Sequence, residues 1–235
     1  MTTETAPYGE WRSPIDGADV ARKQVGLAFP VVDAAGVWWQ ESRPEEGGRV
    51  AVVRQGPDGV KHDLLPMPWN ARTRVHEYGG KSYLPLPDGF VFANFGDQRL
   101  YRWEANAPVA SVTPAPVALT PAPAADAADR FADFVLSPGG DEVWCVRERH
   151  SAGRDGAGGR ITRAIVAVPL DGSGAGDPAA IRILVSGSDF YAYPAPSPDG
   201  TRLAWICWDH PQMPWDGTEL RVAALDGGEP VSDKH

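Results

Sequence analysis

The chain has 235 residues, 43% of them hydrophobic and 23% charged, an ordinary balance for a protein that buries a core. Its net charge of −9, from 22 basic and 31 acidic residues with no cluster of Lys or Arg, argues against a nucleic-acid surface. No apolar run approaches the roughly 20 residues of a membrane-spanning helix, and Met1 to Pro7 lacks a basic stretch leading into an apolar core, so neither membrane nor secretion is expected.

The 26 Gly and 23 Pro residues interrupt every region, which helices do not tolerate, and the short apolar runs between them read as short strands. The composition is all-β. Residues 1–25 read as an N-terminal extension. Residues 26–235 read as a partial β-propeller of about four units, approximately 26–66, 76–104, 130–186 and 188–235.

The first unit is the most degenerate: Asp33-Ala-Ala-Gly-Val-Trp-Trp-Gln, then Arg49-Val-Ala-Val-Val-Arg, then a turn at Asp58-Gly. The second opens at Leu86-Pro-Asp-Gly-Phe-Val-Phe-Ala and continues to Arg99-Leu-Tyr-Arg-Trp. Ala105 to Asp129 follows, rich in Ala and Pro, and is expected to be an extended, solvated connection rather than a strand. The third unit starts at Ser137-Pro-Gly-Gly-Asp-Glu-Val-Trp-Cys-Val, has a Gly-rich loop tip after Ser151, and closes at Ile165-Val-Ala-Val-Pro-Leu-Asp-Gly. The fourth repeats it closely, with Ser197-Pro-Asp-Gly-Thr-Arg-Leu-Ala-Trp-Ile and Leu220-Arg-Val-Ala-Ala-Leu-Asp-Gly. Units of this kind match propeller blades of roughly 40–50 residues, which bury their faces only against neighbours. Cys145 and Cys207 lie inside apolar strand-like runs and read as buried thiols of a cytoplasmic protein.

Metal and phosphate chemistry find little support. The five histidines show no i, i+4 pair, there is no Cys-x-x-Cys, and His76-Glu77 lacks the second His of a zinc-binding helix. Glu45-Glu46 lies in a solvated turn between Pro44 and Gly47, and no Lys-Ser or Lys-Thr pair follows the Gly-rich run.

Three segments are more specific than the repeat: Asn70-Ala-Arg-Thr-Arg-Val-His-Glu-Tyr-Gly-Gly, preceded by Trp38-Trp-Gln-Glu-Ser-Arg; Arg130-Phe-Ala-Asp, leading to Val146-Arg-Glu-Arg-His; and Asp189-Phe-Tyr, leading to Trp208-Asp-His-Pro-Gln-Met-Pro-Trp-Asp-Gly-Thr-Glu-Leu. In this order the chain, from about Tyr8 to Gly228, resembles the propeller of bacterial dipeptidyl or acylaminoacyl peptidases in the prolyl oligopeptidase family. The resemblance implies a parent serine exopeptidase acting on short peptides, without metal or organic cofactor, whose propeller is followed by an α/β-hydrolase domain bearing a Ser-Asp-His triad. No Gly-x-Ser-x-Gly elbow occurs in these 235 residues. Gly172-Ser-Gly-Ala-Gly has the wrong spacing, and nothing helical is expected after Ser173. The hydrolase domain is therefore expected to be absent, and no catalytic residue is carried over.

In dipeptidyl peptidases, propeller carboxylates grip the substrate's free amino terminus. Glu77 and Asp209 are the candidates for that substrate-binding role; alternatively, both belong to buried strand-end networks with Arg72, Arg74 or the histidines. A rival function is a complete small propeller that binds a protein or peptide without catalysis. The discriminator is the outer strand of the fourth unit, and the short polar tail after Asp226-Gly is expected to lack it, which favours an incomplete propeller. Its open edges would invite self-association.

Overall fold

The computed structural model describes residues 5–18, 24–104, 115–125, 128–151 and 159–231. It is all-β, with four antiparallel sheets arranged as propeller blades, each of four strands consecutive in sequence. Blade 1 holds β1 (Gly26–Asp33), β2 (Gly36–Arg43), β3 (Arg49–Gln55) and β4 (Lys61–Asp63). Blade 2 holds β5 (Tyr83–Leu86), β6 (Gly89–Ala93), β7 (Leu100–Glu104) and β8 (Val117–Ala118). Blade 3 holds β9 (Asp129–Leu136), β10 (Glu142–Ser151), β11 (Arg160–Pro169) and β12 (Arg182–Ser186). Blade 4 holds β13 (Phe190–Pro196), β14 (Arg202–Trp208), β15 (Glu219–Asp226) and β16 (Glu229–Pro230).

Side chains alternate across each strand, so an apolar run without polar alternation suits a blade buried on both faces. On β10, Val143 and Cys145 face blade 2, where they pack with Leu86, Val91 and Leu100. Trp144 and Val146 face blade 4, with Tyr191, Leu203 and Trp205. A third core between blades 1 and 2 holds Trp38, Val52, Tyr83, Phe90 and Phe92. Each fully buried side chain of this size contributes about 1.5–3 kcal/mol, which makes these interfaces the main stabilising term. Cys145 and Cys207 are free and buried within them.

The repeated Ser-Pro-x-Gly turns share one hydrogen-bond pattern. Gly140 N–H donates to Ser137 O and Glu142 N–H to Ser137 Oγ; Gly200 and Arg202 treat Ser197 identically. Gly140 and Gly200 adopt φ of 77° and 70°, the left-handed conformation that glycine takes at no steric cost.

The innermost strands carry a second repeat. β1, β9 and β13 each slip register once against their neighbour, after Ala28, Ala132 and Ala192. The next residue has positive φ in all three: Phe29 at 52°, Asp133 at 58° and Tyr193 at 52°.

Three expectations need correction. The Ala- and Pro-rich connection is not strand-free: Val117–Ala118 pairs with Tyr101 and Arg102, while Leu119 and Thr120 are buried. Blade 2 needs this strand because the edge of β7 would otherwise leave backbone groups unpaired; residues 105–114 and 126–127 of the connection lie outside the described residues. The fourth unit does have an outer strand, since Glu229–Pro230 pairs with Leu225 and Asp226, and Glu229 meets Arg182 of blade 3. That strand stays within its own blade, and among the described residues no pairing joins blade 4 to blade 1. Ser173–Gly176 forms one helical turn, with Ser173 N–H donating to Asp171 Oδ1 at 2.8 Å. Small residues permit it: a Cβ on Gly174 would lie 2.6 Å from Leu119 O, so the turn is pressed onto the end of blade 2. The positive φ falls on Gly172 rather than on Ser173. The Gly-rich tip between Ser151 and Arg160 lies mostly outside the described residues.

Candidate substrate-facing cavity

The inner strands of blades 1, 3 and 4, and the segment leading into blade 2, open onto one cavity of about 730 Å³. Ala28 and Phe29 line it from β1, Ala132 and Asp133 from β9, and Ala192 and Tyr193 from β13; Lys81 and Ser82 enter it just before β5. Backbone contacts fix this arrangement. Tyr83 OH donates to Phe29 O at 2.7 Å, Asp133 N–H to Lys81 O at 2.8 Å, and Tyr193 N–H to Asp133 Oδ2 at 3.2 Å. Burial pushes the Asp133 carboxyl up against the bonds from Tyr193 and Lys81, and pushes the Lys81 ammonium down.

His76, Tyr78 and Trp208 form an aromatic side of the same cavity. Phe190 and Trp208 stack with centroids 5.1 Å apart and planes 2° from parallel, and His76 stands edge-on to both, at 5.4 and 5.7 Å. The Arg163 guanidinium lies 4.2 Å over the Phe190 ring. Burial, and then the Arg163 charge, push His76 down to about 4, so at neutral pH it is an uncharged imidazole. Its buried Nε2 has no hydrogen-bond partner among the described residues.

Behind this wall lies a charged row that sequence reasoning missed. On β10, Glu148 continues the face of Trp144 and Val146 and is 1% exposed. Register sets it between Arg130 on β9 and Arg163 on β11. It accepts from Arg163 Nε at 2.7 Å, Arg130 Nη1 at 3.2 Å and His76 N–H at 3.1 Å, and bonds His150 Nε2 at 2.8 Å. Burial works to raise its carboxyl, but the His150 bond and the Arg163 charge hold it below the usual range. Arg163 also donates to Asp189 O at the start of blade 4, at 2.9 Å. Glu148 therefore ties together the 70–80 segment, blade 3 and blade 4.

Glu77 belongs to this row. It sits at φ 70° with 73% of its side chain exposed, and Arg130 Nη1 donates to its Oε1 at 2.6 Å. Asp209 is exposed, and its Oδ1 accepts from Asp189 N–H at 2.5 Å, while Asp189 Oδ2 accepts from His210 N–H and faces His210 Nδ1. Their neighbours His76, Tyr78 and Trp208 line the cavity, whereas Glu77 and Asp209 are not among its lining residues. The structure does not bring the two together: one pairs with Arg130, the other closes the Asp189 turn.

Glu77, Glu148 and His150 offer one potential metal-ligand atom each within 4.8 Å of one another. Arg130 and Arg163 already occupy that space with positive charge, which opposes a cation.

No family model matches the chain, and no curated protein does. Solved structures do. A puromycin-hydrolyzing peptidase from Mycobacterium tuberculosis is 54% identical, with a TM-score of 0.85. A puromycin hydrolase is 43% identical with a TM-score of 0.82, and a mutant of a puromycin hydrolase complexed with PGG is 44% identical with the same TM-score. These matches cover 97–98% of the chain but only 35% of each peptidase. Four blades around a shared cavity, matched at this identity, define the chain as a propeller segment of a peptidase. The matches are consistent with the N-terminal propeller of a prolyl oligopeptidase-family peptidase, of which the chain spans about a third of the length.

Proposed function

We propose that the chain gates and orients short peptides for a serine exopeptidase, working in the cytoplasm and contributing no catalytic group of its own. The observation that carries this reading is the match along 97–98% of the chain to peptidases at 43–54% identity. The cavity on the axis supports it, since a space of about 730 Å³ walled by aromatic and charged side chains suits a short peptide better than a folded partner. In this reading Glu77 and Asp209 are the rim carboxylates that meet an incoming ammonium, as charge-assisted partners about twice as strong as neutral ones. The non-catalytic binding module is disfavoured by the lack of pairing between blades 4 and 1 among the described residues.

The test uses the 235-residue chain alone and the same chain joined to the remainder of the mycobacterial peptidase. The chain alone is expected to turn over no aminoacyl or dipeptidyl chromogenic substrate and to resist a fluorophosphonate probe, whereas the joined protein hydrolyses such substrates. Labelling of a single serine in the chain alone would overturn the non-catalytic assignment. An inactive but folded joined protein would overturn the substrate-handling one.

A further inference from the structure

The axial cavity contains a pattern that the rim carboxylates do not explain. Bulges re-aim side chains and gather beside functional sites. Here the same bulge recurs in Leu27-Ala-Phe-Pro, Phe131-Ala-Asp-Phe and Tyr191-Ala-Tyr-Pro, and each time the residue after Ala takes positive φ and lines the cavity. For Phe and Tyr this conformation is an outlier, costing about 1–3 kcal/mol at each site. Two such costs, and a third bulge of the same kind, around one space call for a role beyond closing the blades, because a strand without the bulge would pair more fully.

We propose that Phe29, Lys81, Asp133 and Tyr193 form a ring that binds a short zwitterionic peptide, with Asp133 taking its ammonium and Lys81 its carboxylate. The ligand class rests on the peptidase reading above; the ring itself does not. Lys81 and Asp133 are the two opposite charges of the ring; each acts on the other electrostatically, and neither is in a salt bridge among the described residues. Burial disfavours the charged form of each, and a ligand carrying both charges restores what water and a counter-ion would supply. The Asp133 Oδ1 atom packs against residue 80, 3.2 Å from where a side chain there would begin, so the glycine makes room for the carboxylate. Tyr193 N–H holds Asp133 Oδ2 and the Lys81 backbone N–H also bonds the carboxylate, which together aim it. Glu77, paired with Arg130, and Asp209, bonded by Asp189 N–H, meet the ammonium at the rim, and Asp133 receives it inside. Phe29 and Tyr193 supply the apolar walls, with a preference for an aromatic side chain between the two charges.

Calorimetric titration of the full chain with glycyl-phenylalanine, its N-acetyl form and its C-terminal amide tests the ring. The free dipeptide is expected to bind at least about tenfold tighter than either capped form, each of which lacks one charge-assisted bond. Asp133→Asn removes the discrimination against the N-acetyl form and keeps that against the amide; Lys81→Met does the reverse. Asn accepts positive φ as Asp does, so the bulge is retained, and near-ultraviolet dichroism of the tryptophans verifies folding. Equal binding of the three ligands, equal losses for all ligands in both variants, or no binding of the free dipeptide by folded chain would overturn the proposal. The peptidase reading is judged separately, by probe labelling and by turnover in the joined protein.

Discussion

Replacing Glu148 by Gln removes one negative charge from the centre of the Arg130–Glu148–Arg163 row while keeping its shape. The carboxylate takes bonds from two guanidiniums, one imidazole and one backbone N–H. An amide keeps one acceptor oxygen and turns an NH2 group toward donors. Breaking a buried pair by removing one partner costs about 3–5 kcal/mol. The lower end applies, because Arg130 keeps Arg74 O and Glu77, and Arg163 keeps Asp189 O. The expected loss is therefore about 3 kcal/mol, or about 1 M in the urea midpoint for an m-value near 3 kcal/mol/M. Tryptophan fluorescence follows the transition. The effect also has a pH signature. The folded-state pKa of Glu148 lies below its ordinary value of 4.5, so its stabilisation is complete above that pH and fades as pH falls through the folded value. The gap between wild type and Glu148→Gln should hold from pH 7 to about 5 and shrink in more acidic solution. A loss below about 1 kcal/mol, the range of an exposed pair, or a gap unchanged down to acid unfolding, would refute the hub.

His76 gives the neighbouring test: its folded pKa of about 4 lies below the ordinary 6.5, so the unfolded chain binds the extra proton and stability falls as pH drops from 6.5 to 4. His76→Phe should flatten that slope by roughly 1–3 kcal/mol across the window after allowing for its partial exposure, as read from urea midpoints at stepped pH; an unchanged slope contradicts the assignment. Glu77→Gln should cost no more than about 1 kcal/mol of stability, since the side chain is largely exposed. In the joined protein, Glu77→Gln should lower kcat/KM for free dipeptide substrates by about tenfold or more while sparing N-acetylated ones, and equal losses on both would return Glu77 to the scaffold. Ala223 and Leu225 pack inward on blade 4, which leaves Leu220 and Val222 on its outer face, 73% and 53% exposed. The chain alone should self-associate through that face, and Leu220→Lys with Val222→Lys should shift it toward monomer in sedimentation velocity; an association insensitive to both places the contact elsewhere.

The blade repeat was legible because its chemistry is local. Ser137 and Ser197 each hold a four-residue turn through their own hydroxyls, and the glycines that complete those turns are forced by φ rather than by distant contacts. Val117–Ala118 and Glu229–Pro230 escaped because a two-residue strand has no periodicity of its own and exists only to pair the edge before it. The helical turn after Ser173 escaped for a related reason, since its fit depends on the close approach of Leu119 O to Gly174.

The charged row was out of reach for a different reason. Period-two reading of Trp144, Val146 and Glu148 places all three on one face, so a buried carboxylate could have been suspected. Its partners could not. Arg130 meets Glu148 only because β9 slips register between its pairs with Trp144 and Val146, a bulge that shifts every later pairing by one residue, whereas Arg163 meets it through the unbroken register of β10 with β11. The same bulge turns Asp133 toward the axis. One backbone feature thus sets both the row that binds blade 3 to its neighbours and the carboxylate that faces the cavity. The two are separable by experiment: Glu148→Gln should weaken the fold, whereas Asp133→Asn, keeping the bulge, should alter ligand discrimination alone.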